Sequence, residues 1–194
     1  ITLEKLIFAF FDNLIKKARL QITYNDFYSE MLKAAERYEP SPFASARAAL
    51  GIAENEPYSN QLEKLYPSAF DVIKKLSSFY SLGVIANQPP NTAERLRKDG
   101  LSEYFKICLL SECESLFKPD IRFFERALEI AGCNADEAAM IGDRLDNDIF
   151  PAESVGMKTV RIVQGLYSVQ KAVNTNYKAD FEINSLSELL QLFL

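Results

Sequence analysis

The sequence contains no histidine. That absence excludes Ser-His-Asp and Cys-His activation of a nucleophile, and every zinc site that uses imidazole. Catalysis falls to carboxylates, Lys, Tyr, Ser or a hard metal ion. Cysteine is scarce. Cys108, Cys113 and Cys133 form no metal or redox spacing, and an odd number does not suit a disulfide framework. They read as reduced thiols of a cytoplasmic protein. No apolar run reaches the ~18 residues of a membrane span, and no basic-then-apolar leader with a cleavage site is read at the start. Blocks of one charge are also absent. The 22 Lys and Arg and 27 Asp and Glu leave a net −5 spread along the chain, which does not suit a nucleic-acid backbone. What is present is ordinary: 194 residues, 48% hydrophobic and 25% charged, fit one folded domain or one domain with an insertion.

The first third reads as helical. Leu3, Leu6, Ile7, Phe10, Phe11, Leu14, Ile15 and Ala18 form one stripe at a 3.6-residue period. A second helix is predicted from about Asn25 to Tyr38. Ser41-Pro42 has the form of an N-cap followed by proline at the first helical position, opening a third helix that stops near Gly51. Residues 52–59 are turn-rich, and a further helix is predicted over about Pro67–Ser78.

After residue 80 short apolar runs alternate with amphipathic helices. The runs are Leu82–Ala86, Ile107–Leu110, Ala138–Ile141 and Thr159–Val163, with a weaker one near Phe181–Ile183. The helices are about Asn91–Asp99, Asp120–Ala131, Asp146–Ser154 and Ser185–Phe193. Asn91 with Glu94, and Ser185 with Glu188, have capping-box spacing. This alternation predicts an α/β protein: a Rossmann-like parallel sheet flanked by helices, at about 66–194, with an α-helical module at 1–65. The site in such a sheet lies at the C-terminal ends of the strands.

Three segments meet on that rim. The run Ala139-Met140-Ile141 ends in Gly142-Asp143, with Asp146 and Asp148 following. The glycine is read as a sharp turn off the strand. Crowded carboxylates without His or Cys suit Mg²⁺. Asp146 is equally readable as the N-cap of the next helix. Lys118-Pro119-Asp120 precedes a helix, and a rim lysine can neutralise phosphate charge or simply face solvent. Leu82–Ala86 ends in Asn87-Gln88-Pro89, a polar turn able to hold an anion or to be an ordinary strand-to-helix turn.

Together these segments resemble the haloacid dehalogenase (HAD) superfamily of hydrolases, over essentially all of 66–194. The helical first third resembles the α-helical cap of one branch. The resemblance implies a Mg²⁺-dependent phosphohydrolase acting on a small phosphorylated molecule through an aspartyl-phosphate, with no nucleic-acid or membrane partner. It implies that Asp143 binds Mg²⁺, and that Asp148 supports the metal or its waters and pairs with Lys118. It also implies that Ala86, Asn87 and Lys118 surround the phosphoryl group.

Two positions depart from the family pattern. Ala86 stands where the second motif has Ser or Thr, so one hydroxyl to the phosphoryl group is lacking. The first motif, an apolar strand ending in Asp-x-Asp that carries the nucleophile, is not found. The nearest residue, Asp12, lies off the apolar stripe of the first helix. The family places that strand mid-sheet, between the strands ending at Asn87 and at Asp143. Leaving two buried edges unpaired there costs ~1–3 kcal/mol per backbone group. The expectation is therefore that the slot is filled from upstream of Ile1, or by another segment or chain, and that the 194 residues alone are inert. Two alternatives remain: a non-catalytic binding or regulatory protein of the same fold, which Ala86 favours, and a metal-free dehalogenase, which has no use for the carboxylates at Asp143–Asp148.

Overall fold

A computed structural model describes residues 21–53, 65–172 and 178–194. The helix expected over 1–18, Asp12 within it, and most of the turn-rich stretch lie outside the described residues. The chain divides into two compact units: Ile1–Tyr66 with Gln164–Lys171, and Pro67–Val163 with Ala172–Leu194. The segment Gln164–Lys171 thus belongs with the first unit, although the sequence reading assigned it to the second.

The described part of the first unit is a helical pair, α1 (Tyr24–Glu36) and α2 (Pro42–Ala49). Thr23 opens α1 with a capping box. Its hydroxyl accepts from the Asp26 amide at 3.2 Å, and the Asp26 carboxylate accepts from the Thr23 amide at 3.0 Å. Ser41 and Pro42 open α2 as the sequence predicts, with the Ser41 hydroxyl accepting from the Ala44 amide at 3.3 Å. Phe27, Met31 and Ala35 of α1, Ala46 of α2, Ile52 and Leu166 form the core. Burial of Leu166 in that core is the physical reason its segment joins this unit. Tyr38 ties the same segment down, its hydroxyl donating to the Lys171 carbonyl.

The second unit runs α3 (Ala69–Ser77), β1 (Leu82–Ala86), α4 (Thr92–Lys98), β2 (Phe105–Leu110), α5 (Ser111–Glu114), α6 (Ile121–Ala131), β3 (Ala139–Gly142), α7 (Phe150–Ser154), β4 (Lys158–Ile162), β5 (Phe181–Ile183) and α8 (Leu189–Phe193). All observed strand pairs are parallel. With helices between the strands, this is the α/β, Rossmann-like class that the sequence predicts. The period-3.6 stripe of α6 drives its burial: Phe124 packs with Met140, Ala152 and Met157, while Phe123 packs with Leu109 and Ala127. Among the described residues, no helix is long and apolar enough to cross a membrane.

Local details differ from expectation for identifiable reasons. Asn91 makes no cap: the turn has already started at Pro89-Pro90, whose carbonyls accept from Thr92 and Ala93, so Asn91 holds a helical backbone rather than the extended one a capping box needs. The helix expected over Asp146–Ser154 is split. Leu145–Ile149 is a π-helical turn, with the Asp148 and Ile149 amides both bonded to the Arg144 carbonyl, and α7 follows from Phe150.

The strands form two separate sets, β1-β2 and β3-β4-β5. Among the described residues no strand joins β1 to β3. Between them lies a cavity of about 630 Å³, lined by Leu82, Val84 and Ile85 of β1 and Ala139, Met140 and Ile141 of β3. Among the described residues β1 pairs only with β2, and β3 only with β4.

Candidate active site at the open rim

The carboxyl ends of β1 and β3 carry the polar groups. Ala86 closes β1, and Asn87 follows it. The Asn87 side chain is bonded at both ends to one residue: its Oδ1 accepts from the Lys118 amide at 2.7 Å, and its Nδ2 donates to the Lys118 carbonyl at 2.7 Å. Lys118 lies on the loop between α5 and α6. Asp120 then starts α6 as its N-cap, accepting from the Arg122 amide at 3.0 Å. The Arg122 guanidinium, bonded to the same carboxylate, holds Asp120 below the usual carboxylate range.

The Lys118 side chain turns inward. Its Nζ donates to Asp148 Oδ1 at 2.5 Å, and the two side chains are only 12% and 6% exposed. The second Asp148 oxygen, Oδ2, accepts from the Arg144 amide at 3.0 Å. Asp148 is thus held at both oxygens by this chain's own donors. Asp146, readable from the sequence as an N-cap, lies inside the π turn rather than before it. It pairs with the Arg144 guanidinium at 2.5 Å.

Gly142 has a different reason from the one the sequence suggested. Its backbone is not left-handed. A Cβ at Gly142 would instead lie 2.4 Å from Asp148 Cβ and 2.6 Å from Asp148 Oδ2. Only hydrogen at this position lets the π turn come back against the strand end.

Asp143 is the strained group. Burial and the neighbouring Asp148 charge push its carboxyl up to about 6, against the smaller opposing pull of a backbone hydrogen bond, Lys118 and Arg144. A carboxylate so placed gains most from a nearby cation. Among the described residues no three Asp, Glu or Cys side chains gather into a metal cage. Mg²⁺ does not require one, because it keeps several waters and binds through one or two carboxylates. Of the oxygen donors here, the Asp143 carboxylate is the one that could hold such an ion, since both Asp148 oxygens already accept from Lys118 and Arg144.

The structure therefore brings Asn87, Lys118, Asp143 and Asp148 to one rim, with Ala86 at the end of β1. The sequence reading missed Arg144, which orients both Asp146 and Asp148. It also missed Arg161, buried on β4 beside Gly142 and paired with Glu182 at 3.2 Å. The only sequence signal for Arg144 was its place inside the acidic stretch. Arg161 gave none, because Thr-Val-Arg-Ile looks like any buried strand with an outward charge. The three cysteines are free.

The family model for haloacid dehalogenase-like hydrolases matches residues 4–162. The chain belongs to this family. Among its HAD relatives is the glyceraldehyde 3-phosphate phosphatase of Methanocaldococcus jannaschii, 31% identical over 172 residues, covering 87% of this chain and 72% of the relative. The enzyme of the same name from Pyrococcus furiosus is 34% identical over 116 residues, covering 58% of this chain and 47% of its own length. The chain thus spans about half of that relative. A HAD phosphatase structure from Thermococcus onnurineus superposes with a TM-score of 0.64 at 25% identity, covering 97% of this chain and 91% of that one. A HAD-hydrolase structure from Bacillus subtilis bound to magnesium shares the fold, with a TM-score of 0.69 at 23% identity, covering 97% and 90%.

Proposed function

We propose that the chain is the body of a Mg²⁺-dependent phosphohydrolase that acts on a small phosphorylated substrate. The reaction passes through an aspartyl-phosphate whose Asp ends a strand in the slot between β1 and β3. The observation that carries this reading is the buried Lys118–Asp148 pair beside the raised Asp143 carboxyl, which follows the carboxyl end of β3. The names of the archaeal relatives support a phosphorylated three-carbon substrate class.

In this mechanism an Asp oxygen attacks phosphorus in line, the bond to the leaving oxygen breaks, and that oxygen takes a proton. Water then cleaves the acyl-phosphate to inorganic phosphate and the free carboxylate. Lys118 presents its ammonium to the nucleophile and to the equatorial phosphoryl oxygens. Asp143 holds Mg²⁺, which when bound supplies positive charge against the transferring group. Asp148 holds Lys118 in place. At Ala86 no hydroxyl is offered, so donors there are backbone amides. The helical unit is assigned the role of a substrate-selecting cap, and the free thiols fit a cytoplasmic protein.

The test is hydrolysis of p-nitrophenyl phosphate and glyceraldehyde 3-phosphate with and without Mg²⁺. It uses the 194-residue chain and a form extended by any in-frame codons upstream of Ile1. The extended form is expected to turn over only with Mg²⁺, with loss of ~10²–10³-fold in Lys118→Ala. Turnover by the shorter chain that Asp12→Asn abolishes would place the nucleophile at Asp12. No turnover by either form would support the binding-protein reading that Ala86 favours.

A further inference from the structure

The Asn87 amide is committed to a single residue of another loop. Both of its contacts are to Lys118, 31 positions along the chain, and both are 2.7 Å long. One is to the N–H of Lys118 and the other to its C=O, so the side chain copies what a neighbouring strand edge would offer. Only an amide of this length fits. Asp has the acceptor without the donor, and Ser cannot span both groups. The loop needs such a tie. Ser115 ends α5 in a left-handed conformation, and Pro119 has no N–H to give.

From Lys118 the line of contacts continues. The Nζ reaches Asp148, and Asp148 reaches the Arg144 amide at the end of β3. The line thus begins at the carboxyl end of β1 and ends just past β3. We infer that Asn87 is the positioning residue of Lys118: its amide fixes the Lys118 backbone, and the fixed backbone delivers the ammonium to Asp148. This rests on the reading of Lys118 as the cation of the site. It replaces the expectation that the Asn87 side chain itself grips the phosphoryl group. Side-chain entropy explains why a tie is useful, because a long lysine stem loses much rotamer freedom when its head is held in one place. A fixed Cα reduces what the ion pair alone must hold.

The inference is tested on the 194-residue chain by NMR, without reference to turnover. Two signals are followed: hydrogen exchange of the Lys118 amide, and the Lys118 ammonium cross-peak, assigned through Lys118→Arg. In Asp148→Asn the ammonium signal is expected to move to the position of solvent lysines, while amide protection stays. In Asn87→Ala both are expected to change, with amide exchange faster by about tenfold or more. In Asn87→Asp the acceptor arm survives, so amide protection is expected to stay; this variant also guards against a general loss of folding. Two results would overturn the inference: Asn87→Ala leaving the ammonium signal in place, or Asn87→Ala leaving the amide protected. If these signals behave as expected but the extended chain hydrolyses no phosphate ester, the clamp stands and the functional reading fails.

Discussion

Gly142→Ala is expected to be among the most damaging single substitutions in the second unit. The added Cβ meets Asp148 Cβ at 2.4 Å and Cγ at 2.6 Å. The Asp148 Cβ is fixed by the backbone, so no rotamer change can clear it. The π turn Leu145–Ile149 must move, and with it the partner of Lys118. Overpacking costs ~1–3 kcal/mol, and a broken buried ion pair costs ~3–5 kcal/mol. Because the two overlap, a net loss of about 3–5 kcal/mol is expected in urea denaturation. Gly83→Ala is the control. There the Cβ comes no closer than 3.4 Å, to Ile107, and the expected change is within about 1 kcal/mol. Equal effects at the two glycines would show that the contact between strand end and π turn is not what the sequence protects.

The second large effect concerns the buried pair itself. Lys118→Met removes the ammonium bonded to the buried Asp148 carboxylate. A loss of ~3–5 kcal/mol is expected for an orphaned buried charge. The double variant Lys118→Met/Asp148→Leu removes both charges and is expected to recover most of that loss, despite leaving the Arg144 amide without its acceptor. A double-mutant cycle read by urea denaturation gives the coupling directly. Coupling below about 1 kcal/mol would mean that the pair behaves like an exposed one, contrary to its burial.

Strand positions were the most legible part of the chain. Leu82–Ala86 has the same bounds in sequence and structure, and the weaker run near Phe181–Ile183 is also a strand, because short runs of strand-forming residues stand out between helical patterns. Helix starts were legible where the cap is local and the backbone before it is extended, as at Ser41 and Asp120. They failed at Asn91, where two prolines had already begun the turn. The rim residues could be named from the sequence, but not all of their partners. Asn87 finds its partner on a loop 31 residues away, which no periodicity encodes. Asp146 left two readings open because its partner, Arg144, decides between them only in three dimensions. Gly142 was noticed for the wrong property: conformational freedom is a local matter, whereas the approach of Asp148 depends on how the π turn returns.

The central claim is that Asp143 is held as a buried carboxylate waiting for a cation. With its pKa raised from 3.8 to about 6, the folded metal-free chain binds more protons than the unfolded one between those values. Its stability therefore falls as pH rises through that window, by an amount of order 3 kcal/mol, and stays lower above it. Mg²⁺ titration followed by thermal melting tests this directly. At about pH 7.5 wild type is expected to gain several degrees with Mg²⁺. Asp143→Asn is expected to melt higher than wild type without metal and to gain nothing from it. At about pH 5 the proton competes, and the wild-type gain shrinks. An Mg²⁺ gain that persists in Asp143→Asn, or that is the same at both pH values, would contradict the account.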